Sequence, residues 1–138
     1  MTGMSRRKGA VGERELAHEL AELTGWMIRR RVRQHEGDSD LEGLRGWSIE
    51  VKRRASARPG DVAAWWRQAF EQGQRAGAIP VLFTRVDRQA WRAHFPLAVL
   101  VGADWAAWGP GAQFLLEGSL ECWAAVAREL MPITTAGP

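Results

Sequence analysis

Tyrosine is absent from this 138-residue chain, cysteine occurs once, and lysine supplies only two of the 19 basic residues. A lone Cys122 closes no internal disulfide and builds no cysteine-based metal site, so disulfide scaffolds and zinc ribbons are excluded and a reducing compartment is expected. No apolar run approaches the roughly 18 residues that a membrane-spanning helix needs. Residues 1–14 are polar and basic, without the apolar stretch of a secretory signal. A soluble, cytoplasmic protein is the expectation. The nucleophile motif of serine hydrolases and the glycine-rich phosphate loop are missing as well, which ranks a small-molecule hydrolase last.

The hydrophobic content, 46%, is that of a globular protein with a real core, and the length predicts a single domain over residues 1–138. Basicity is concentrated at one end. Residues 1–60 hold 13 Lys/Arg against 9 Asp/Glu, whereas residues 61–138 hold 6 against 7. Arginine's planar fork suits bidentate phosphate contacts, so 17 Arg among the basic residues hint at nucleic acid, with an Arg-rich codon bias as the bland alternative.

Residues 1–8 read as a loose basic arm and residues 12–23 as a helix, with Leu16, Leu20 and Leu23 on one stripe and Glu15, Glu19 and Glu22 facing water. Glu13 borders the buried face. Residues 26–33 fit a first strand, 34–39 a turn, and 40–44 a short strand that forms a hairpin with residues 47–53. In that last strand Trp47, Ile49 and Val51 share one face, and Ser48, Glu50 and Lys52 the other. A helix capped by Asp61 runs to Arg75, followed by a buried strand at 78–84. One or two strands in 91–101, a turn or short helix at 104–108, a strand at 113–116 and a helix capped by Ser119 complete the chain, with 132–138 as a disordered tail. This order implies an α/β fold with a mixed central sheet flanked by helices.

Chemistry concentrates in Glu13, Asp40 within GDSDL, and Glu50 and Lys52 within IEVKR. Glu50 and Lys52 share a strand face at roughly 7 Å spacing, and the hairpin is expected to return Asp40 alongside Glu50. Converging carboxylates repel unless a cation sits among them. Hard oxygen ligands with no Cys and no paired His favour Mg²⁺ or Mn²⁺ over zinc. Such an ion lowers the pKa of a bound water, and Lys52 orients that water or stabilises charge on a phosphoryl oxygen.

The spacing resembles the PD-(D/E)xK nuclease core, with Ser39 where that motif has proline. The string KGAVGERELAHEL followed by GDSDLEGLRGWSIEVKRR resembles the archaeal and phage Holliday-junction resolvases over roughly residues 8–84. The resemblance implies a restriction-endonuclease-like core, a phage or prokaryotic origin, and Mg²⁺-dependent cleavage of four-way DNA junctions in recombination and repair. It places Glu13 near the metal, makes Asp40 and Glu50 metal ligands, and makes Lys52 the catalytic lysine. It also implies a glutamine from the following helix, with Gln68 favoured over Gln72. Asp38 competes with Asp40, which is preferred because Leu41 follows it. A two-fold symmetric junction needs two nicks, so a homodimer is expected.

For DNA contact the candidates are Arg6, Arg7 and Lys8 in the basic arm, Arg30 within the run at 29–33, and Arg53, Arg54 and Arg58 continuing from the catalytic strand into a loop. Each reading has a plainer rival. Glu13 suits a helix N-terminus, Glu50 and Lys52 a solvated strand face, and Asp40 a turn. Trp65 and Trp66 fall in an apolar helical sector and read as core rather than base-stacking residues. Trp105, Trp108 and Phe114 suit either a dimer surface or a satellite core. His18, His35 and His94 are scattered and read as structural or exposed, and Cys122 as a small core residue. A DNA-binding module with structural carboxylates, and another PD-(D/E)xK enzyme of restriction, nicking or flap type, are the alternatives.

Overall fold

The computed structural model describes the backbone of residues 3–31 and 41–135 and the side chains of residues 11–31 and 41–130. Helix α1 (Gly3–Thr24) leads to a short strand β1 (Arg29–Arg30), which pairs antiparallel with β2 (Leu41–Glu42). The main sheet follows: β3 (Trp47–Arg54), helix α2 (Pro59–Ala76), β4 (Ile79–Val86), β5 (Arg92–Pro96), a 3-10 turn at Leu97–Val101, α3 (Trp105–Trp108), a 3-10 turn at Ala112–Phe114, β6 (Leu115–Gly118) and α4 (Leu120–Thr135). Its order is β3-β4-β5-β6, with β3 and β4 parallel and the other pairs antiparallel. This is the mixed, helix-flanked sheet that the sequence predicts.

Parallel pairing explains the composition of β3 and β4. A βαβ unit is covered on both sides by helices, so its strands are buried on both faces. One face of β3, Trp47, Ile49 and Val51, joins Leu16 and Leu20 of α1, Phe83 of β4 and Trp123 of α4 in the main core. Trp123 is the hub of this core, with the rings of Trp26, Trp47 and Phe83 edge-on to it at centroid distances of 5.1–6.5 Å. The opposite face, led by Leu82, packs against Trp66, Ala69 and Phe70 of α2 in a second cluster. Trp105 closes that cluster against Phe70 at 5.3 Å, which makes it a satellite-core residue.

Several boundaries differ from expectation. α1 reaches back to Gly3 and α4 forward to Thr135, so helical backbone occupies much of the expected arm and tail. The expected hairpin is not formed as drawn: β2 pairs with β1, and the partner of β3 is β4. The reason is the apolar run at 79–84, which offers a long buried ladder that two residues of β2 cannot match. α2 starts at Pro59 with Arg58 as its cap residue, and Asp61 sits inside the first turn, its Oδ2 accepting from the Arg58 N–H at 2.9 Å. Ser119 does cap α4, its Oγ accepting from the Cys122 N–H at 3.0 Å. Cys122 itself is exposed rather than in the core. Glu15 is half-buried rather than simply facing water, since it accepts from Trp91 Nε1 at 2.9 Å and pairs with Arg85.

Candidate active site

Alternation along β3 puts Ser48, Glu50, Lys52 and Arg54 on the face that α2 covers. Glu50 is therefore only 3% exposed, not the solvated strand residue of the plainer reading. Lys52 Nζ lies 3.3 Å from Glu50 Oε1, and the lysine keeps its tip near the surface where the strand emerges from beneath the helix. A carboxylate this deep in a sheet is costly without compensation, and an adjacent ammonium or a metal ion supplies it. The pair joins a buried acid and a cation at one mouth of the sheet.

Glu13 belongs to α1, which covers the other face of β3. α1 packs on β3 so closely that a Cβ on Gly12 would lie 2.8 Å from Arg53 Cδ. The next residue, Glu13, accepts from Arg30 Nε of β1 at 2.8 Å. Arg30 is in turn the register partner of Leu41, the residue after Asp40. Asp40 and the competing Asp38 lie outside the described residues. Among the described residues no three His, Cys, Asp or Glu side chains converge closely enough to enclose an ion.

The two helix glutamines are placed differently. Gln68 is exposed on α2, whereas Gln72 is 4% exposed and faces the sheet. Helical phase explains this: Gln72 lies on the same stripe as Trp65, whose ring sits under the Arg54 guanidinium at 5.5 Å. Two helical turns, about 10 Å, separate Trp65 from Gln72. Three or four strand residues cover a similar length, so Gln72 comes level with the middle of β3. The phase was readable in the sequence, but which edge of the helix faces β3 was not.

The arginines divide. Arg58 is the most open, its side chain 88% exposed near Asp61. Arg54 is half-buried, donating to the Arg53 carbonyl at 3.1 Å beside its ring contact with Trp65. Arg53 turns to the α1 face, where only 19% of its side chain is exposed and Nη1 is 3.5 Å from Asp87 Oδ1, so it does not extend into solvent as expected. Arg30 is occupied by Glu13, with 42% of its side chain accessible. The side chains of Arg6, Arg7 and Lys8 lie outside the described residues, as does His35.

Thr84, and His94, which the sequence reads as structural or exposed, are buried on the same sheet face as Lys52. The signal was the alternation Ala93, His94, Phe95, which places an imidazole on the Glu50 side while its neighbours join the main core.

Among the described residues the acids here, Glu50 and Glu13, offer carboxylate oxygens, a chemistry that suits a hard divalent cation.

A family described as "Phage putative PDDEXK endonuclease" matches residues 4–106. No curated protein matches the chain. Among solved structures, Hjc of the archaeal hyperthermophile Archaeoglobus fulgidus, a Holliday junction resolvase, is similar at 20% identity over 87% of this chain and 95% of that one, with a TM-score of 0.48.

Proposed function

The chain belongs to the phage PDDEXK endonuclease family, and from that premise we propose that it is a divalent-metal-dependent endodeoxyribonuclease that resolves four-way DNA junctions by paired symmetric nicks. The observation that carries the hydrolytic part is the Lys52 ammonium set 3.3 Å from the buried Glu50 carboxylate on one strand face. Support for the junction as substrate comes from the strings at 8–20 and 37–54, which resemble the resolvases.

In this reading Glu50, Asp40 and Glu13 would hold Mg²⁺, with Mn²⁺ as a substitute, which would supply an activated water and neutralise phosphoryl charge when bound. Glu50 does two things at once, presenting oxygen to the cation and fixing the lysine. Lys52 places its ammonium where a non-bridging phosphoryl oxygen gains negative charge, in a site shielded by α2. Gln72, not Gln68, is the glutamine that borders the site. Arg58 and Arg54 grip the backbone on the α2 side, with Arg6, Arg7, Lys8 and Arg30 as further phosphate contacts, so binding is salt-dependent and nearly sequence-blind. Each chain carries one such site, and two symmetric nicks require a homodimer. The setting is the cytoplasm of a prokaryote or an infected host cell.

The test is gel-resolved cleavage of a synthetic four-way junction beside linear duplex, flap and single-stranded DNA, with Mg²⁺, Mn²⁺ or EDTA. Paired nicks confined to the junction are expected. Cutting of flaps or duplex instead replaces the substrate while keeping the site, and binding without any cleavage under any divalent ion favours a DNA-binding module.

A further inference from the structure

We propose that Thr84, held by His94, is a positioning residue for the Lys52 ammonium, an inference that rests on the nuclease reading above. The sheet register brings these groups together. Lys52 is paired with Thr84 and Glu50 with Leu82. Leu82 is paired with His94 and Thr84 with Arg92, and His94 with Glu117. Paired residues project to the same side of a sheet, so Glu50, Lys52, Thr84, His94 and Glu117 form one polar file across four strands on the α2 face.

The inner members of this file are tightly linked. Thr84 and His94 are both buried, and Thr84 Oγ1 is 2.9 Å from His94 Nε2. On its other side His94 Nδ1 lies 3.6 Å from Glu117 Oε1, while Glu117 Oε2 accepts from Arg92 Nε at 3.2 Å. Around them the face is apolar, with Leu82 packed against Trp66 and Phe70. Two polar side chains in such a setting gain little over an aliphatic and aromatic pair of the same shape. A functional return is available on the β3 side, where Thr84 neighbours Lys52 at the strand spacing of about 4.8 Å.

Hydrogen-bond polarity defines what the file does. Burial depresses the His94 pKa below its ordinary value, so the ring is neutral at pH 7. The Glu117 carboxylate favours the remaining proton on Nδ1, which leaves Nε2 as an acceptor for the Thr84 O–H. With its proton committed to His94, the Thr84 oxygen keeps its lone pairs available to its cross-strand neighbour Lys52. An ammonium paired with Glu50 that also draws on this neighbouring oxygen sweeps less freely on its flexible four-carbon stem. Protonating His94 makes both ring nitrogens donors, so the Thr84 oxygen accepts from the ring and has one lone pair fewer to offer Lys52. The charged groups facing His94 are Glu117 on β6, Arg92 on β5, and Glu50 and Lys52 on β3, while α2 contributes the apolar Trp66 and Phe70.

Lys8 and Lys52 are the two lysines of the chain, so lysine labelled at Cε and Nζ gives two NMR signals, assigned with K52A. The experiment compares the wild type, T84V and T84S by this spectrum and by single-turnover cleavage of saturating four-way junction from pH 5 to 8. T84V keeps the shape and loses the hydroxyl. It is expected to shift the Lys52 signal and to slow cleavage about tenfold or more, with the Kd for DNA unchanged and T84S restoring both. In the wild type the Lys52 signal moves as His94 protonates, and in T84V it does not. Wild-type cleavage by T84V, or a Lys52 signal indifferent to the substitution, overturns the proposal. If the wild type cuts no DNA, the nuclease reading falls and the Lys52 spectrum alone decides the positioning role. Should T84V fail to fold, T84A against T84S makes the same comparison.

Discussion

Lys52 Nζ and Glu50 Oε1 face each other at 3.3 Å on the helix-covered side of β3, the carboxylate almost fully enclosed and the ammonium at the rim. Removing one member of a pair in a shielded site takes a compensating charge from the other, a costly way to disturb an ion pair. Lys52→Ala is expected to lower the single-turnover cleavage rate by about 10²-fold or more, the scale on which a positioned electrostatic group acts. Its Kd for junction DNA should stay within about threefold, because phosphate binding is spread over many arginines. Fluorescence anisotropy beside a cleavage time course separates the two quantities, and parallel losses of both would remove the catalytic role.

Gln72 and Gln68 make an internal control. Gln72→Ala is expected to slow cleavage at saturating DNA, whereas Gln68→Ala, on the exposed side of α2, leaves the rate within about twofold, as surface substitutions generally do. The opposite ranking would mean that α2 is rotated relative to β3 in the DNA complex.

Much of the architecture was legible because it follows from local patterns. Leu16 and Leu20 gave α1, the two-residue alternation gave the faces of β3, and the apolar run at 79–84 gave a doubly buried strand. What was not legible was pairing. The two-residue β2 carries no sign of choosing β1 over β3, and the exchange of Gln68 for Gln72 depends on where α2 lies across the sheet. Tertiary packing also overrode local readings at Glu15, recruited by Arg85 and Trp91, and at Arg53, drawn to Asp87 under α1. Within the candidate site, Glu50 and Lys52 were readable as a pair because a strand fixes the spacing of alternate residues. The helix that buries them was not.

Gly43 tests the β1 and β2 connection. Its φ is +101°, and a Cβ there would fall 2.0 Å from the Met27 carbonyl oxygen. Gly43→Ala combines a left-handed backbone penalty with a backbone clash and is expected to destabilise the protein by about 2 kcal/mol or more. Urea denaturation followed by tryptophan fluorescence measures it; an unchanged midpoint would contradict the close approach of residues 27 and 43.

His94 links stability to pH. Its folded pKa is below the ordinary 6.5 because burial disfavours the imidazolium. Between that depressed value and 6.5 the unfolded chain binds more protons, so stability rises with pH across this window and falls as pH drops through it. Above 6.5 the contribution is complete. His94→Gln should therefore flatten the dependence of Tm on pH between 5 and 7, and a slope identical to the wild type's would show that the imidazole does not titrate in that range.

The most direct test of the central claim uses one end-labelled four-way junction with Mg²⁺ and two proteins, the wild type and Glu50→Gln. The account predicts two symmetric nicks from the wild type, none in EDTA, and an uncut but fully bound junction with Glu50→Gln. Equal cleavage by the two proteins, or none by the wild type in any divalent ion, would contradict it.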